Sequence, residues 1–425
     1  MNKDTVSSLA VGGGAKAFDR ILHVGRPTIG NRQRFLDRVN QALDRRWLSN
    51  AGPFVTEFES AVEQKLGVRH CVAMCNGTVA LEIAIRALGL QGEVIVPSFT
   101  FIATAHALQW QDITPVFCDI DPRTHNIAPA QVERMITPRT SGIIGVHLWG
   151  RPCDVEGLEA IARESGLALL FDAAHAFGCS WRQRMIGSFG RAEVFSFHAT
   201  KFLNTCEGGA IVTNDSELAG RCRLMRNFGF EGYDRVTHIG TNGKMNELSA
   251  AMGLTLLEDF AAIVERNRQS YRCYETGLDG LPGLSLVGYN PAETQNFQYI
   301  VVEIDEAAAG ISRDDLLTVL LCENVLARRY FYPGCHRMEP YKSFFPDAGL
   351  RLPETERMAG RVLVLPGGDA VTLEEIALLC RVVRTCIEQA SELRAVLARS
   401  GEAIREMRCD VRPPHTPAEQ VYADR

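Results

Sequence analysis

Lys201 stands just past the apolar run EVFSFH (193–198), is followed by Phe202 and Leu203, and precedes Glu207, Gly208 and Gly209. A lysine at such a place is ordinarily a solvated surface group. An amine that must add to a carbonyl needs instead a desolvated site that lowers its pKa, and an apolar strand end beside glycines that admit a ligand supplies one. Asp172 closes a second apolar run, LALLFDA (167–173), where a carboxylate needs a cation or a hydrogen-bond donor. A structural pairing meets that need. So does the protonated nitrogen of a bound pyridine ring, which would make the ring an electron sink for a carbanion. The interval from Asp172 to Lys201 leaves room for a turn and a returning strand that bring both to one pocket. Asn76-Gly77-Thr78 lies between an apolar run and a helical pattern. Free N–H groups at a helix start bind phosphate, Gly77 permits close approach and the Thr78 hydroxyl can donate; an ordinary N-cap accounts for Thr78 equally well.

The elements that must hold these residues follow from the hydropathy pattern. Short β-rich runs at 70–76, 93–99, 114–120, 142–150, 167–173 and 193–198 alternate with helical spacing at 78–90 and 155–165. This predicts an α/β domain with a mostly parallel central sheet. CEGGAIVTND after Thr205 adds a strand, and a long helical pattern from about Met245 to Leu278 leads into a second, smaller α/β block. That block carries a strand in 296–304, a helix in 312–324 and a last helix from Thr372 to about Gln389. The expected divisions are a flexible segment at 1–25, a large domain at 26–265, a small C-terminal domain at 266–390, and a tail at 391–425 that is helical and then frayed by Pro413, Pro414 and Pro417.

Composition narrows the function. The 425 residues carry 45 Lys plus Arg against 51 Asp plus Glu, a net charge of −6, so there is no global field to gather nucleic acid or anionic lipid. No run approaches membrane-spanning length and Met1–Arg20 has no apolar signal core. The 13 cysteines are scattered without a CxxC pair, and most read as reduced core residues of a cytoplasmic protein. Asp119 and Asp121 share a strand face only until Pro122 ends the strand and do not complete a ligand set, so no metal is expected. No GxGxxG follows a strand, which disfavours a dinucleotide enzyme.

Six segments in order, Asn76-Gly77-Thr78, PSFTFIATA (97–105), DAAHAFG (172–178), SFHATK (196–201), EGGAIVTND (207–215) and NGKMNELSAAMGL (242–254), resemble the DegT/DnrJ/EryC1/StrS family. Its members are pyridoxal 5'-phosphate (PLP) aminotransferases acting mainly on nucleotide-linked keto-sugars, and the resemblance runs from about Arg26 to about Glu388. It implies the fold-type I architecture and a homodimer with both sites at the interface. It also implies that Lys201 carries the cofactor covalently and moves the substrate proton, and that Asp172 meets the pyridine nitrogen. His175 takes the position that contacts the ring's phenolic oxygen, Gly77, Thr78 and Ser196 match the phosphate cradle, and Phe101 matches the aromatic that stacks on the ring. Asn242 and Lys244 match a loop that reaches across the interface to the partner's phosphate. A family branch with histidine in place of the lysine performs dehydration; this chain keeps Lys201, so transamination is expected.

The segment ARRYFYPGCHRMEPY (327–341) is rich in aromatic and cationic residues. Arg328, Arg329, Tyr330, His336 and Tyr341 are candidates for a pyrophosphate and a hexose, with Tyr330 and His336 matching substrate-facing positions of the family. By resemblance the donor is L-glutamate and the acceptor a dTDP-4-keto-6-deoxyhexose aminated at C4. C3 amination of a 3-keto-sugar and amination of a cyclitol ketone are the alternatives within the chemistry. A regulatory homologue that binds PLP without turnover is the alternative outside it.

Overall fold

In the computed structural model, which describes residues 2–399, seven strands form one sheet. They are β1 (His70–Met74), β2 (Glu93–Pro97), β3 (Thr114–Cys118), β4 (Thr140–Val146), β5 (Ala168–Asp172), β6 (Ala192–Ser196) and β7 (Gly209–Thr213), in the spatial order β1-β7-β6-β5-β4-β2-β3. β7 is antiparallel to both neighbours and the other contacts are parallel. Side chains alternate between two buried faces. Ala73, Ile143, Leu169, Phe171 and Phe195 enter one core, and Val72, Ile144, Leu170 and Val194 the other. Burial on both faces is why these strands read as continuous apolar runs. The carboxyl ends of the six parallel strands meet at one edge, the ordinary place for a site in an α/β sheet.

A second, antiparallel sheet, β8 (Leu284–Leu286), β9 (Ile300–Ile304) and β10 (Val362–Leu365), packs with the helices Arg313–Cys322 and Leu373–Glu388 around its own core. The expected single helix over 245–278 is two, Glu247–Glu258 and Phe260–Leu278. Between them lies Asp259, whose carboxylate accepts the Asn31 N–H (2.9 Å) and pairs with Arg34. The second helix spans both units: Ile263 lies in the first core, while Tyr271, Tyr274 and Leu278 lie in the second.

The segment 1–25, expected to be flexible, is instead docked over residues 2–25. Val6, Leu9, Val11, Phe18 and Leu22 are part of the second core. The fully buried Lys3 ammonium lies 2.9 Å from the equally buried Glu323 carboxylate and donates to the Ser8 carbonyl. Glu323 also accepts the Ala10 and Ala17 N–H groups. Leu22–His23 pairs in parallel with Val325–Leu326. Glycines and charges disguise this strap in the sequence, because its partners lie some three hundred residues away. The tail begins as a helix, Ala390–Arg399, and its remainder lies outside the described residues. No described helix is long and apolar enough to cross a membrane.

Removing one member of a buried ion pair strands the other charge, which costs about 3–5 kcal/mol. Lys3→Met is therefore expected to lower unfolding stability by that amount in urea titration. Glu217→Ala, which breaks the exposed pair with Arg221, should change it by less than about 1 kcal/mol.

Candidate active site

A cavity of about 640 Å³ opens at the carboxyl edge of the large sheet and contains Gly77, Thr78, Asp172, His175, Ser196 and Lys201. Each stands at or just beyond the end of a strand: Asp172 ends β5, Ser196 ends β6, and Asn76-Gly77-Thr78 follows β1. The loop that carries Lys201 is closed by backbone bonds, from Lys201 N–H to the His198 carbonyl and from Thr205 N–H to the Phe197 carbonyl. A separate depression of about 590 Å³ around Arg69, Arg191 and Asp215 holds none of these residues.

The Lys201 side chain is half-buried, and loss of solvation draws its amine down to about 8, against an upward pull from the Asp172 carboxylate. Asp172 is buried, which pushes its carboxyl up. Bonds from the Thr104 hydroxyl (2.8 Å, to Oδ2) and the Ala174 N–H (3.1 Å, to Oδ1), with the charge of Lys201, pull it back. His175 is held far below the ordinary imidazole range, first by burial and then by Lys201, so its ring is neutral. Its Nδ1 accepts the Trp149 N–H at 3.3 Å, which puts the ring proton on Nε2. Tyr299, with ring centroids 4.3 Å apart, and the stacked Trp149 fix its plane.

Asn76 caps the Gly77–Ala87 helix by accepting the Val79 N–H at 2.8 Å. The Gly77 and Thr78 N–H groups, first in the helix, have no intrahelical acceptor. Gly77 packs so closely on Ser196 that a Cβ there would lie 2.9 Å from the Ser196 Cβ. Gly209 is equally constrained, because a Cβ on it would meet the Asn76–Gly77 peptide at 2.7 Å. Amides, hydroxyls and the helix dipole thus converge on a corner suited to a phosphate. Phe101 stands at the rim, 60% exposed.

Tyr330 and Arg328 also line the cavity. His336, expected to face a substrate, does not: its Nδ1 bonds with Ser98 Oγ (2.7 Å) and its Nε2 with Glu356 (2.8 Å). Burial demands that both nitrogens be satisfied, and the protein interior does it. Tyr341 is likewise turned inward to His106 (2.8 Å), and Arg329 pairs with Asp314 (3.2 Å). Asn242 and Lys244 lie outside the cavity of their own chain; the Lys244 ammonium donates to Asn227 (3.2 Å) and sits over the Phe228 ring. His147 is buried under the site, stacked on Phe171 and 3.2 Å from Glu193, and Asp119 accepts the N–H groups of Glu354 and Thr355. Residues the sequence reading overlooked include Thr100 and Thr104, Gln298 and Tyr299 on the approach to β9, and Val24 and Gly25 of the strap. The four-residue spacing of Thr100 and Thr104 was a usable signal; Val24 and Gly25 gave none.

The model of the DegT/DnrJ/EryC1/StrS aminotransferase family matches residues 30–384. The chain is 34% identical over 351 residues to the dTDP-4-amino-4,6-dideoxy-D-glucose transaminase of Escherichia coli, covering 82% of this chain and 94% of that protein. It is 36% identical over 336 residues to the GDP-perosamine synthase of Caulobacter vibrioides, covering 77% and 88%. Among solved structures, DesI in the presence of its TDP-sugar product superposes with a TM-score of 0.87 at 50% identity, over 92% of this chain and 99% of that one.

The position of the Lys201 pKa has a sign that can be measured. Below pH 8 the amine is an ammonium without a lone pair, and above it the free base predominates. Acylation of Lys201 in the cofactor-free protein, followed by peptide mass spectrometry, should rise half-maximally near pH 8. Asp172→Asn removes the charge that favours the ammonium, so the midpoint should move lower still.

Proposed function

Because the chain belongs to the DegT/DnrJ/EryC1/StrS aminotransferase family, we propose that it uses PLP to move the amino group of L-glutamate to C4 of a dTDP-4-keto-6-deoxyhexose. The observation that carries the cofactor reading is the joint presence, in one cavity, of a desolvated lysine, a buried carboxylate and a helix start whose glycine a Cβ would close. The acceptor reading is supported by the similarity to the Escherichia coli transaminase and to DesI. When bound, PLP supplies an aldehyde that exchanges amines and a ring that takes up the electron pair left by a departing α-proton.

On this reading the chain's residues divide the work. Lys201 Nζ, close to neutrality in its proton affinity, accepts the proton leaving the donor's α-carbon and returns one in the second half-reaction. Asp172 keeps the ring nitrogen protonated by holding a negative charge beside it. His175, neutral with its proton on Nε2, would offer a donor to the phenolic oxygen of that ring. Gly77 and Thr78 amides with the Thr78 and Ser196 hydroxyls hold the phosphate, Phe101 covers the ring, and Tyr330 faces the sugar. Asn242 and Lys244 complete the partner's phosphate site in a homodimer. The adjoining segment supports that assembly by exposing Phe228, Phe230, Tyr233 and Ile239, the last two 97% and 74% exposed.

The test is turnover with L-glutamate on a panel of dTDP- and GDP-linked 4-keto- and 3-keto-sugars, with products identified by mass spectrometry and NMR. A C4-aminated dTDP sugar is expected. A product aminated at C3, or turnover confined to the GDP sugar, would displace the acceptor assignment. Lys201→Ala should lose at least the roughly 10²–10⁴-fold that a positioned base contributes, together with covalent cofactor.

Shared sites make a separate prediction. Lys201→Ala and the double variant Asn242→Ala/Lys244→Ala should each be inactive alone. After unfolding and refolding together, random pairing restores roughly a quarter of all sites, because one site of each mixed dimer inherits neither defect. Absence of recovery under conditions that exchange subunits would assign the loop to its own chain's site.

A further inference from the structure

Asp172 Oδ2 has one side-chain donor among the described residues, the Thr104 hydroxyl at 2.8 Å, and Thr104 is itself fully buried. On either side of the carboxylate the sheet offers only Val146 and Val194, its register neighbours on β4 and β6. An ionised carboxylate is an acceptor only, so the single Thr104 proton must point at Asp172. The Thr104 oxygen is then free to accept, and Thr100 Oγ1 lies 3.4 Å away in the direction of the cavity. A ladder of hydroxyls, Thr100 to Thr104 to Asp172, runs in one direction, each bond polarising the next. With Ala174 N–H on Oδ1 at 3.1 Å, both carboxylate oxygens are pinned and the carboxylate cannot rotate about its own axis.

We infer that Thr104 is a positioning residue for the transamination: its hydroxyl fixes the plane of the Asp172 carboxylate that meets the cofactor's ring nitrogen. The inference rests on the reading of Asp172 given above. It separates the hydroxyl of Thr104 from its methyl group. Loss of the hydroxyl removes the side-chain donor that holds negative charge on Oδ2, which weakens the carboxylate's preference for leaving the shared proton on the ring nitrogen.

The experiment uses holoenzyme reconstituted with PLP labelled with ¹⁵N in the ring, and reads the nitrogen resonance together with the glutamate half-reaction. Asp172→Asn is expected to shift the resonance toward the unprotonated ring and to slow the half-reaction. Thr104→Val, which keeps shape and drops the hydroxyl, should move the resonance in the same direction. It should also slow the half-reaction on the order of ten- to a hundredfold, the worth of a hydrogen bond to a charged group, with KM for glutamate unchanged. Thr104→Ser should rescue both. A role in packing alone predicts the reverse order, with Thr104→Ser at least as damaging and no shift in the resonance, and that result overturns the inference. Thr104→Val matching the wild type while Asp172→Asn is impaired also overturns it and leaves Asp172 in place; an unimpaired Asp172→Asn removes both. Should Thr104→Val fail to fold, Thr100→Val takes the donor from the Thr104 oxygen and should give a smaller shift of the same sign, and no shift there decides against the ladder.

Discussion

Placing a carboxylate and an amine of opposite charge in the wall of one cavity is the constraint on which the rest of this structure turns. Burial alone drives Asp172 toward its neutral acid and Lys201 toward its free base. Each moderates the other, and the balance leaves an amine that titrates near 8 facing a carboxylate that other groups must keep charged. The Thr104 hydroxyl and the Ala174 amide do so locally. The neutral His175 fits the same logic, since its own burial and the neighbouring Lys201 charge both disfavour a second cation there.

The sheet topology makes this crowding possible. Parallel strands deliver Asp172 and Ser196 to one edge, and the antiparallel β7 begins at that same edge, with Gly209 opposite both Met74 and Ser196. The chain between β6 and β7 must therefore form a tight loop over the site, and that loop holds Lys201. The second unit closes the cavity from above with Tyr299, Tyr330 and Phe331, which join Phe99, Val146 and Trp149 in an apolar cluster where the two cores meet.

The apolar runs and their alternation made the large sheet legible, because strands buried on both faces leave an unbroken signature, and the family resemblance supplied candidate roles for residues at strand ends. What stayed hidden was long-range. His336 and Tyr330 sit in one aromatic, cationic segment and look alike in sequence, yet one ring is spent on Ser98 and Glu356 and the other lines the cavity. The helix break at Asp259 has its partners, Asn31 and Arg34, more than two hundred residues away. The docking of Lys3 depends on Glu323, and no local pattern announces a partner that distant.

That strap has a consequence for the order in which the molecule can be completed. Residues 3–22 emerge from the ribosome long before Glu323 and the core that receives them, so they must wait, unsatisfied, for most of the chain to be synthesised. Loop closure over such a separation is slow and adds stability only once the distant contacts form. Val24 and Gly25, which end the strap, line the cavity, and Gly25 lies against Thr200 next to Lys201. The cavity wall is therefore finished by a segment that is synthesised some three hundred residues before the partner that seats it.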